Sequence, residues 1–296
     1  MTSTFDGISA LAGKSVEELL IFVADEELGY KDKALSLLLS SGIKDIFPTL
    51  ERGLRDDNYA NFRNGAMDTL VAFGNKSLPY LCKLLTDKNE EVRNFVCVML
   101  GDIGNREAVG HLIKTLSDSD PNVSHSAAEA LGKIGDRAAL FPLIGLLKGE
   151  FWVQYSAISA IGAMKDYRAV PHLLDLLDNE MLASPLIEAL GQIGDPRALH
   201  PLGRILPHLD DSTAGICIKA IMEIYMAVSE SLSYKNSLTE YKQPEHLRKI
   251  LNSDGVEKLT SILNSSCEKE VLNATIMLLG WYGDASVVTS FFSLLT

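Results

Sequence analysis

The sequence repeats one pattern at a nearly constant interval. Three stretches show it most clearly: LGDIGNREAVGHLIKTLSD, LGKIGDRAALFPLIGLLKG and LGQIGDPRALHPLGRIL. One position of this pattern returns at intervals of 32, 30, 31, 30 and 29 residues, at Gly42, Gly74, Gly104, Gly135, Lys165 and Gly194. A unit of about 30 residues cannot bury its apolar face alone, so neighbouring units must stack on one another.

Each unit is predicted to hold two amphipathic helices, because its apolar residues recur twice at helical spacing. The glycine ends the first helix, since it adopts the left-handed conformation at low cost. Pro48, Pro79 and Pro171 fall near the start of the second helix, where a missing N–H costs little. An Asx residue follows the glycine in most units and is predicted to be structural, satisfying free N–H groups at the turn: Asn75, Asn105, Asp136, Asp195 and Asp284.

This pattern resembles the HEAT family, in the short-period form also found in phycobilisome lyase subunits. Repeats of that form begin with Val-Arg, continue with Ala-x-x-x-Leu-Gly and end with Gly-Asp-x-x-Ala. The Val-Arg element stands here as Phe62-Arg63 and Val92-Arg93, and becomes Val123-Ser124 and Val153-Gln154 further on. The resemblance covers residues 27–296 and implies an all-α fold, a right-handed α-solenoid of about eight helical hairpins. It says little about activity, because function resides in sites on a fold.

The regular spacing ends after Gly194. Residues 1–26 are predicted to form an N-terminal segment whose helix, Ser15 to Ala24, caps the solenoid. Further on, Thr213 to Ala227 is predicted as a first helix and Val256 to Leu263 as its partner. The residues between them, 229–254, are predicted to be an insertion, either a recognition element or a longer connection.

The last hairpin is predicted to pair Glu268 to Trp281 with Ala285 to Leu295. The second of these segments ends in an apolar run, Phe291 to Leu295. An uncapped apolar end of a solenoid favours contact with a neighbour, so self-association or continuation into a longer chain is expected there.

Charge and composition disfavour two classes of partner. The net charge of −12 and a pI of about 5.0 disfavour nucleic acid, whose phosphates require surplus Lys and Arg. Apolar runs are far shorter than the ~20 residues that span a bilayer, and the N-terminus lacks a signal-peptide pattern, so a cytoplasmic protein is expected. The four cysteines form no CxxC pair and are predicted to be small buried thiols rather than metal or redox groups.

Motifs for catalysis, metals and cofactors are either absent or misplaced. GISALAGKS, at residues 7–15, has one residue too many between its glycines for a P-loop, and no strand precedes it. Asp118, Asp120, Asn122 and Glu129 have calcium-loop spacing, but the glycine position is Val123, so these acids are predicted to be solvated groups at a turn. The His-Glu dipeptides that hold iron in a HEAT-repeat hydroxylase are absent. No catalytic residue, metal or cofactor is therefore assigned, and the chain is predicted not to be an enzyme.

The family resemblance implies that second helices line the concave surface. Aligning them places Arg52, Lys83 and Lys114 in one column, and Arg55 and Lys148 in another. These five cations in an otherwise acidic protein predict a groove for an acidic helix or tail of a protein partner. The alternative is ordinary solvated charge.

A second set of candidate partner-binding residues is aromatic. Phe151 and Trp152 occupy a repeat turn where other units have Glu90-Glu91 and Pro121-Asn122, and Trp is enriched among binding hot spots. Phe141 is expected to enlarge the same apolar spot. Packing of these rings on the neighbouring turn is the alternative.

These observations favour a non-catalytic scaffold or adaptor that binds a protein partner on its concave surface. A bilin lyase-like or other cofactor-handling accessory subunit is the alternative that the family resemblance suggests. A DNA-binding protein with HEAT architecture, as among the alkylpurine glycosylases, is disfavoured by the acidic charge.

Overall fold

The computed structural model describes residues 11, 13–25, 27, 29–56, 58–233, 244–265 and 268–283. Within these ranges the chain forms helices and turns and no strand, which confirms the all-α prediction. The chain divides into two compact units, residues 1–139 and residues 140–296.

The first unit is a series of packed helices joined by short turns. Its helices are α1 (Val16–Ala24), α2 (Lys31–Ser41), α3 (Ile43–Leu54), α4 (Ala60–Phe73), α5 (Leu78–Leu84), α6 (Glu90–Ile103), α7 (Val109–Thr115) and α8 (Pro121–Ile134). First helices pack on first helices, with α1 on α4 and α6 on α8, while α3 packs on α4 and α7 on α8. This repeated stacking of hairpins is the arrangement of an α-solenoid.

The second unit continues the same hairpin pattern within itself. Its helices are α9 (Leu140–Leu146), α10 (Phe151–Met164), α11 (Val170–Leu174), α12 (Ala183–Ile193), α13 (Leu199–Ile205), α14 (Asp211–Ser233), α15 (Pro244–Ile250), α16 (Ser253–Asn264) and α17 (Lys269–Tyr282). The first helices α10, α12 and α14 pack in succession, and α14 packs on α17.

The segment predicted as an insertion contains regular structure. Helix α14 runs to Ser233, beyond the predicted end at Ala227, and α15 lies within the segment. Leu247 and Ile250 of α15 are buried, and α15 packs on α13 and α17. This part of the segment therefore belongs to the core of the unit. Residues 234–243, and the predicted helix from Ala285 to Leu295, lie outside the described residues.

The glycine positions end the first helices as predicted. Gly104, Gly135 and Gly194 have φ of 69°, 65° and 73°. Lys165, which replaces glycine in this column, also has a left-handed φ of 52°, and no other non-glycine residue in the described ranges has a positive φ. The repeat therefore imposes this conformation even where the side chain opposes it.

First helices approach one another closely because a glycine of one faces an alanine of the next. A Cβ added to Gly101 would lie 2.9 Å from the Cα of Ala130, and one added to Gly162 would lie 2.9 Å from the Cα of Ala189. Such separations leave no room for a methyl group. The Leu-Gly element of the repeat is thus a packing requirement of the stack.

The Val-Arg element ties each first helix to the preceding second helix. Arg93 donates from Nη1 to the carbonyl oxygen of Asp87 at 2.8 Å. Where the sequence departs from arginine, Ser124 donates to the carbonyl of Leu116 at 2.7 Å, and in the second unit Gln154 donates to the carbonyl of Leu147 at 2.8 Å. Each replacement keeps a hydrogen-bond donor, so the departures leave the fold intact.

Candidate partner-binding surfaces

The first predicted basic column lies on three second helices of the first unit. Arg52 is in α3, Lys83 in α5 and Lys114 in α7, and all three side chains are exposed. Arg52 forms an ion pair with Glu17 of α1, and its guanidinium also lies 5.7 Å from the ring centre of Phe62. Its charge is therefore largely balanced within the unit.

Arg55 is held more firmly than Arg52. It donates to both carboxylate oxygens of Asp87, at 2.6 and 2.9 Å, and to Glu51 at 2.9 Å. The guanidinium of Arg55 lowers the pKa of Asp87 to about 2. Since Arg93 contacts the carbonyl of the same Asp87, Arg55 helps to join successive hairpins.

Lys83 and Lys114 differ from the two arginines. Within the described ranges, neither lysine has a carboxylate at ion-pair distance, a statement that leaves aside any residue outside those ranges. Lys114 also borders a groove of about 420 Å³ whose other lining residues include Cys82, Thr86 and His111. The free positive charge of the predicted column is thus concentrated on these two lysines.

The predicted aromatic site is formed by the first turn of α10 in the second unit. The rings of Phe151 and Trp152 meet edge to face with centres 5.1 Å apart. Phe151 is half-buried, whereas Trp152 is 73% exposed. Lys148 lies exposed in the turn just before this helix. The alternative, in which Trp152 packs into the neighbouring turn, does not describe this geometry.

Phe141 does not join this aromatic pair. It lies in the first turn of α9, whereas Phe151 and Trp152 follow the end of that helix, so the last five residues of α9, about 8 Å of helix, lie between them. Phe141 is 62% exposed, and the guanidinium of Arg168 lies 5.7 Å from the centre of its ring. Among the described residues, no ring contact joins Phe141 to Phe151 or Trp152.

Two exposed apolar residues near Trp152 did not emerge from the sequence. Tyr155 lies one turn further along α10 and is 43% exposed. Met181 is 72% exposed and stands 29 residues after Trp152, at the equivalent start of the next first helix, α12. An alignment of the first-helix starts would have found Met181. We call Phe151, Trp152, Tyr155 and Met181 the apolar patch.

The acids with calcium-loop spacing have structural roles. Asp118 pairs with Arg93 at 2.7 and 2.8 Å, and Asp120 accepts N–H groups at the start of α8. Glu129 lies in the middle of α8. The described residues contain no cluster of His, Cys, Asp or Glu that could hold a metal ion.

The thiols and the membrane criterion add two further observations. Cys97 and Cys217 are buried and Cys82 is half-buried, and burial raises the pKa of Cys97 to about 12. Cys267 lies outside the described residues. Among the helices that the structure describes, none has the length and apolar character needed to span a bilayer.

Comparisons with protein families identify the repeats. Residues 78–152 match the family described as HEAT repeats, and residues 153–179 and 186–206 match the PBS lyase HEAT-like repeat. A comparison with curated proteins finds no match. Together with the hairpin stacking, the family matches confirm the predicted HEAT-like repeats.

Solved structures with similar folds include Kap121p, with a TM-score of 0.57 and 14% identity over 94% of this chain. This chain spans only 33% of Kap121p, and the likeness concerns the fold alone. The complex of CpcE and CpcF of phycocyanin lyase from Nostoc sp. PCC7120 has a TM-score of 0.44 and 19% identity, covering 77% of this chain and 93% of that one. Human deoxyhypusine hydroxylase in complex with glycerol has a TM-score of 0.39 and 19% identity, and the match covers 83% of this chain and 98% of the hydroxylase.

Proposed function

Since this chain is a HEAT-like repeat protein, we propose that it is a non-catalytic scaffold or adaptor that binds a protein partner. The observation that carries the proposal is Trp152, a large aromatic side chain left 73% exposed at the start of a first helix. Tryptophan anchors contribute strongly to protein interfaces, because a partner can remove their large apolar area from water. A cytoplasmic location is part of the same proposal.

The second-helix surface of the first unit supports a contact of a different kind. Lys83 and Lys114 lie exposed on α5 and α7 and have no acidic partner within the described ranges. Free surface lysines attract an acidic helix or tail and accelerate its association, whereas the paired Arg52 and Arg55 contribute less. We therefore narrow the basic site to these two lysines.

The test begins with a partner isolated on the full-length chain from its source cell, followed by surface plasmon resonance. Reversing both lysines, Lys83→Glu with Lys114→Glu, should slow association and weaken its dependence on salt. The control is Lys76→Glu with Lys88→Glu, which makes the same change in charge in the turns on either side of α5. Equal kinetics for the two double variants would exclude the lysine surface.

Trp152→Ala should change the dissociation rate of the partner rather than its association rate. Loss of an anchor mainly raises the dissociation rate, with an expected cost of about 2 kcal/mol or more. Tyr59→Ala is the matched control, because Tyr59 is another exposed aromatic residue, 52% exposed, in the first unit. Equal dissociation rates of the partner from the Trp152→Ala variant and from the wild type would contradict the proposal that Trp152 is an anchor.

A second candidate function is a bilin lyase-like or other cofactor-handling accessory subunit. The match of residues 153–179 and 186–206 to the PBS lyase HEAT-like repeat supports it. Mixing the protein with a bilin and recording the visible spectrum tests this alternative. A shifted bilin absorbance band that follows the protein through gel filtration would favour it over the scaffold.

A further inference from the structure

The apolar patch continues into a groove within the second unit. The starts of successive first helices carry Trp152 on α10, Met181 in the 3-10 turn just before α12, Asp211 on α14 and Glu268 just before α17. The first two are apolar and the last two are acidic. Because α10, α12 and α14 pack in succession and α14 packs on α17, this row forms one surface whose character changes along its length.

The acidic end of the row borders an open groove. Helices α12, α14 and α17 border a groove of about 660 Å³, with Gly215, Ile216, Ala220 and Val271 among its lining residues. Gly215 and Val271 face each other across this groove, and a Cβ added to Gly215 would lie 3.3 Å from a methyl group of Val271. The groove has room for side chains of a partner.

Charged residues line the same groove. Two acids already have lysine partners: Asp211 pairs with Lys258 at 2.8 Å, and Glu268 lies 3.8 Å from Lys219. Glu188 and Glu223 are exposed and pair with no cation in the part of the chain that the structure describes. Although the residue is exposed overall, partial desolvation of its carboxyl group is the main cause that raises the pKa of Glu223. Glu188 raises this pKa further, whereas the charges of Lys219 and Lys165 lower it. A partner's cation placed between these two carboxylates would stabilise their charged forms and offset the cost of desolvation and mutual repulsion.

We infer that this row binds one basic, amphipathic segment of a partner protein, with bulky apolar side chains on Trp152 and Met181 and Arg or Lys side chains in the groove at Glu188 and Glu223. The inference rests on the proposed function, because it assigns the chemistry of the partner at Trp152. The charge of this partner segment is positive, opposite to that of the acidic segment proposed to bind Lys83 and Lys114 in the first unit.

The spacing of the helices sets the spacing within the segment. Packed helices are about 8 to 10 Å apart, so the groove lies about 10 to 20 Å from the apolar patch. This distance corresponds to roughly 7 to 13 residues of an α-helix or roughly 3 to 6 residues of extended chain. The apolar and basic residues of the partner segment should therefore be separated by one of these intervals.

The probe is a fluorescein-labelled peptide of about 20 residues with leucines in one half and arginines in the other, prepared in both sequence orders. Fluorescence anisotropy with the full chain should show binding that weakens as salt is raised. Glu188→Gln with Glu223→Gln should weaken binding about tenfold. The control is Glu91→Gln with Glu129→Gln in the first unit, which changes net charge equally, and Glu129 occupies the place in α8 that Glu188 occupies in α12.

Three results distinguish the possible failures. Equal weakening by the two double variants means non-specific attraction to an acidic protein and overturns the inference. Binding that is lost in Trp152→Ala but survives both the glutamine changes and replacement of arginine by glutamate in the peptide also overturns it, while the apolar anchor of the proposed function stands. Failure of both peptides to bind the wild type more tightly than about 1 mM overturns the inference as well. In that case, the isolated partner still tests the anchor separately.

Discussion

Lys165 offers a direct measure of how strongly the repeat controls its backbone. Its φ of 52° places it in the left-handed region, which costs a non-glycine residue roughly 1 to 2 kcal/mol. Glycine removes that cost but loses about 0.5 to 1 kcal/mol through its greater freedom in the unfolded chain. Lys165→Gly should therefore stabilise the second unit by about 0.5 to 1 kcal/mol and raise its Tm by about 1 to 4 °C.

The assay is urea unfolding followed by tryptophan fluorescence. Both tryptophans of the chain, Trp152 and Trp281, lie in the second unit and report on it. Lys165→Ala separates backbone from charge, because alanine removes the ammonium group but keeps the strained φ, and it should leave stability nearly unchanged. In the opposite direction, Gly104→Ala should destabilise the first unit by about 1 kcal/mol, since φ there is 69° and no atom of the described residues lies near the added methyl group. Circular dichroism follows this variant, because the first unit has no tryptophan. A Lys165→Gly variant no more stable than Lys165→Ala would refute the reasoning.

Three further predictions concern the packing and one ion pair. Leu190→Ala removes a fully buried core side chain and should cost about 2 to 5 kcal/mol in urea unfolding, whereas a loss below about 1 kcal/mol would show a wrong register. Gly162→Ala should destabilise by about 1 to 3 kcal/mol because no methyl group fits, while Gly110→Ala, with open space around it, should be neutral or stabilising on thermal denaturation. Arg55 holds the folded pKa of Asp87 at about 2, below its ordinary 3.8. Because the Arg55 side chain is partly exposed and solvent screens the pair, the pair should contribute about 1 to 2 kcal/mol above pH 4, and this contribution is lost as the pH falls through 2. Urea unfolding of Asp87→Asn should lack that change with pH.

The fold could be predicted because each hairpin contacts mainly its neighbours. Local periodicity therefore determines most of the packing, and Gly104, Gly135 and Gly194 mark helix ends in the structure as in the sequence. The end of helix α14 could not be predicted in this way. No glycine or proline follows Ala227 until Pro244, so the sequence offered no stop signal, and the helix continues to Ser233.

The candidate surfaces could be predicted only in part, because a column in a repeat gives the position of a side chain but not its partner. Arg55 and Lys83 both face outward from second helices, yet Arg55 is bound by Asp87 from another hairpin, whereas Lys83 has no ion-pair partner among the described residues. The exposure of Trp152 followed from a local break in the repeat, since an aromatic residue replaced polar ones. Met181 was missed because a methionine near a helix start is usually core, and only its 72% exposure shows otherwise.

Residues that depart from the repeat fall into two physical classes. Ser124 and Gln154 replace arginine but keep the hydrogen bond to the preceding hairpin, so they preserve stability by another route. Trp152 replaces no lost interaction of the repeat, and its exposed indole buries little area within its own unit. Since the first helices α6 and α8 begin with Glu90-Glu91 and Pro121-Asn122, stacking does not require an aromatic residue there. Trp152 therefore contributes little to the stability of its own unit. Trp152→Ala should leave the free energy of unfolding within about 0.5 kcal/mol of wild type while it weakens partner binding. Urea unfolding followed by circular dichroism checks the first half of this statement. A loss of stability above about 1 kcal/mol would show that Trp152 belongs to the core and would remove it from the proposed interface.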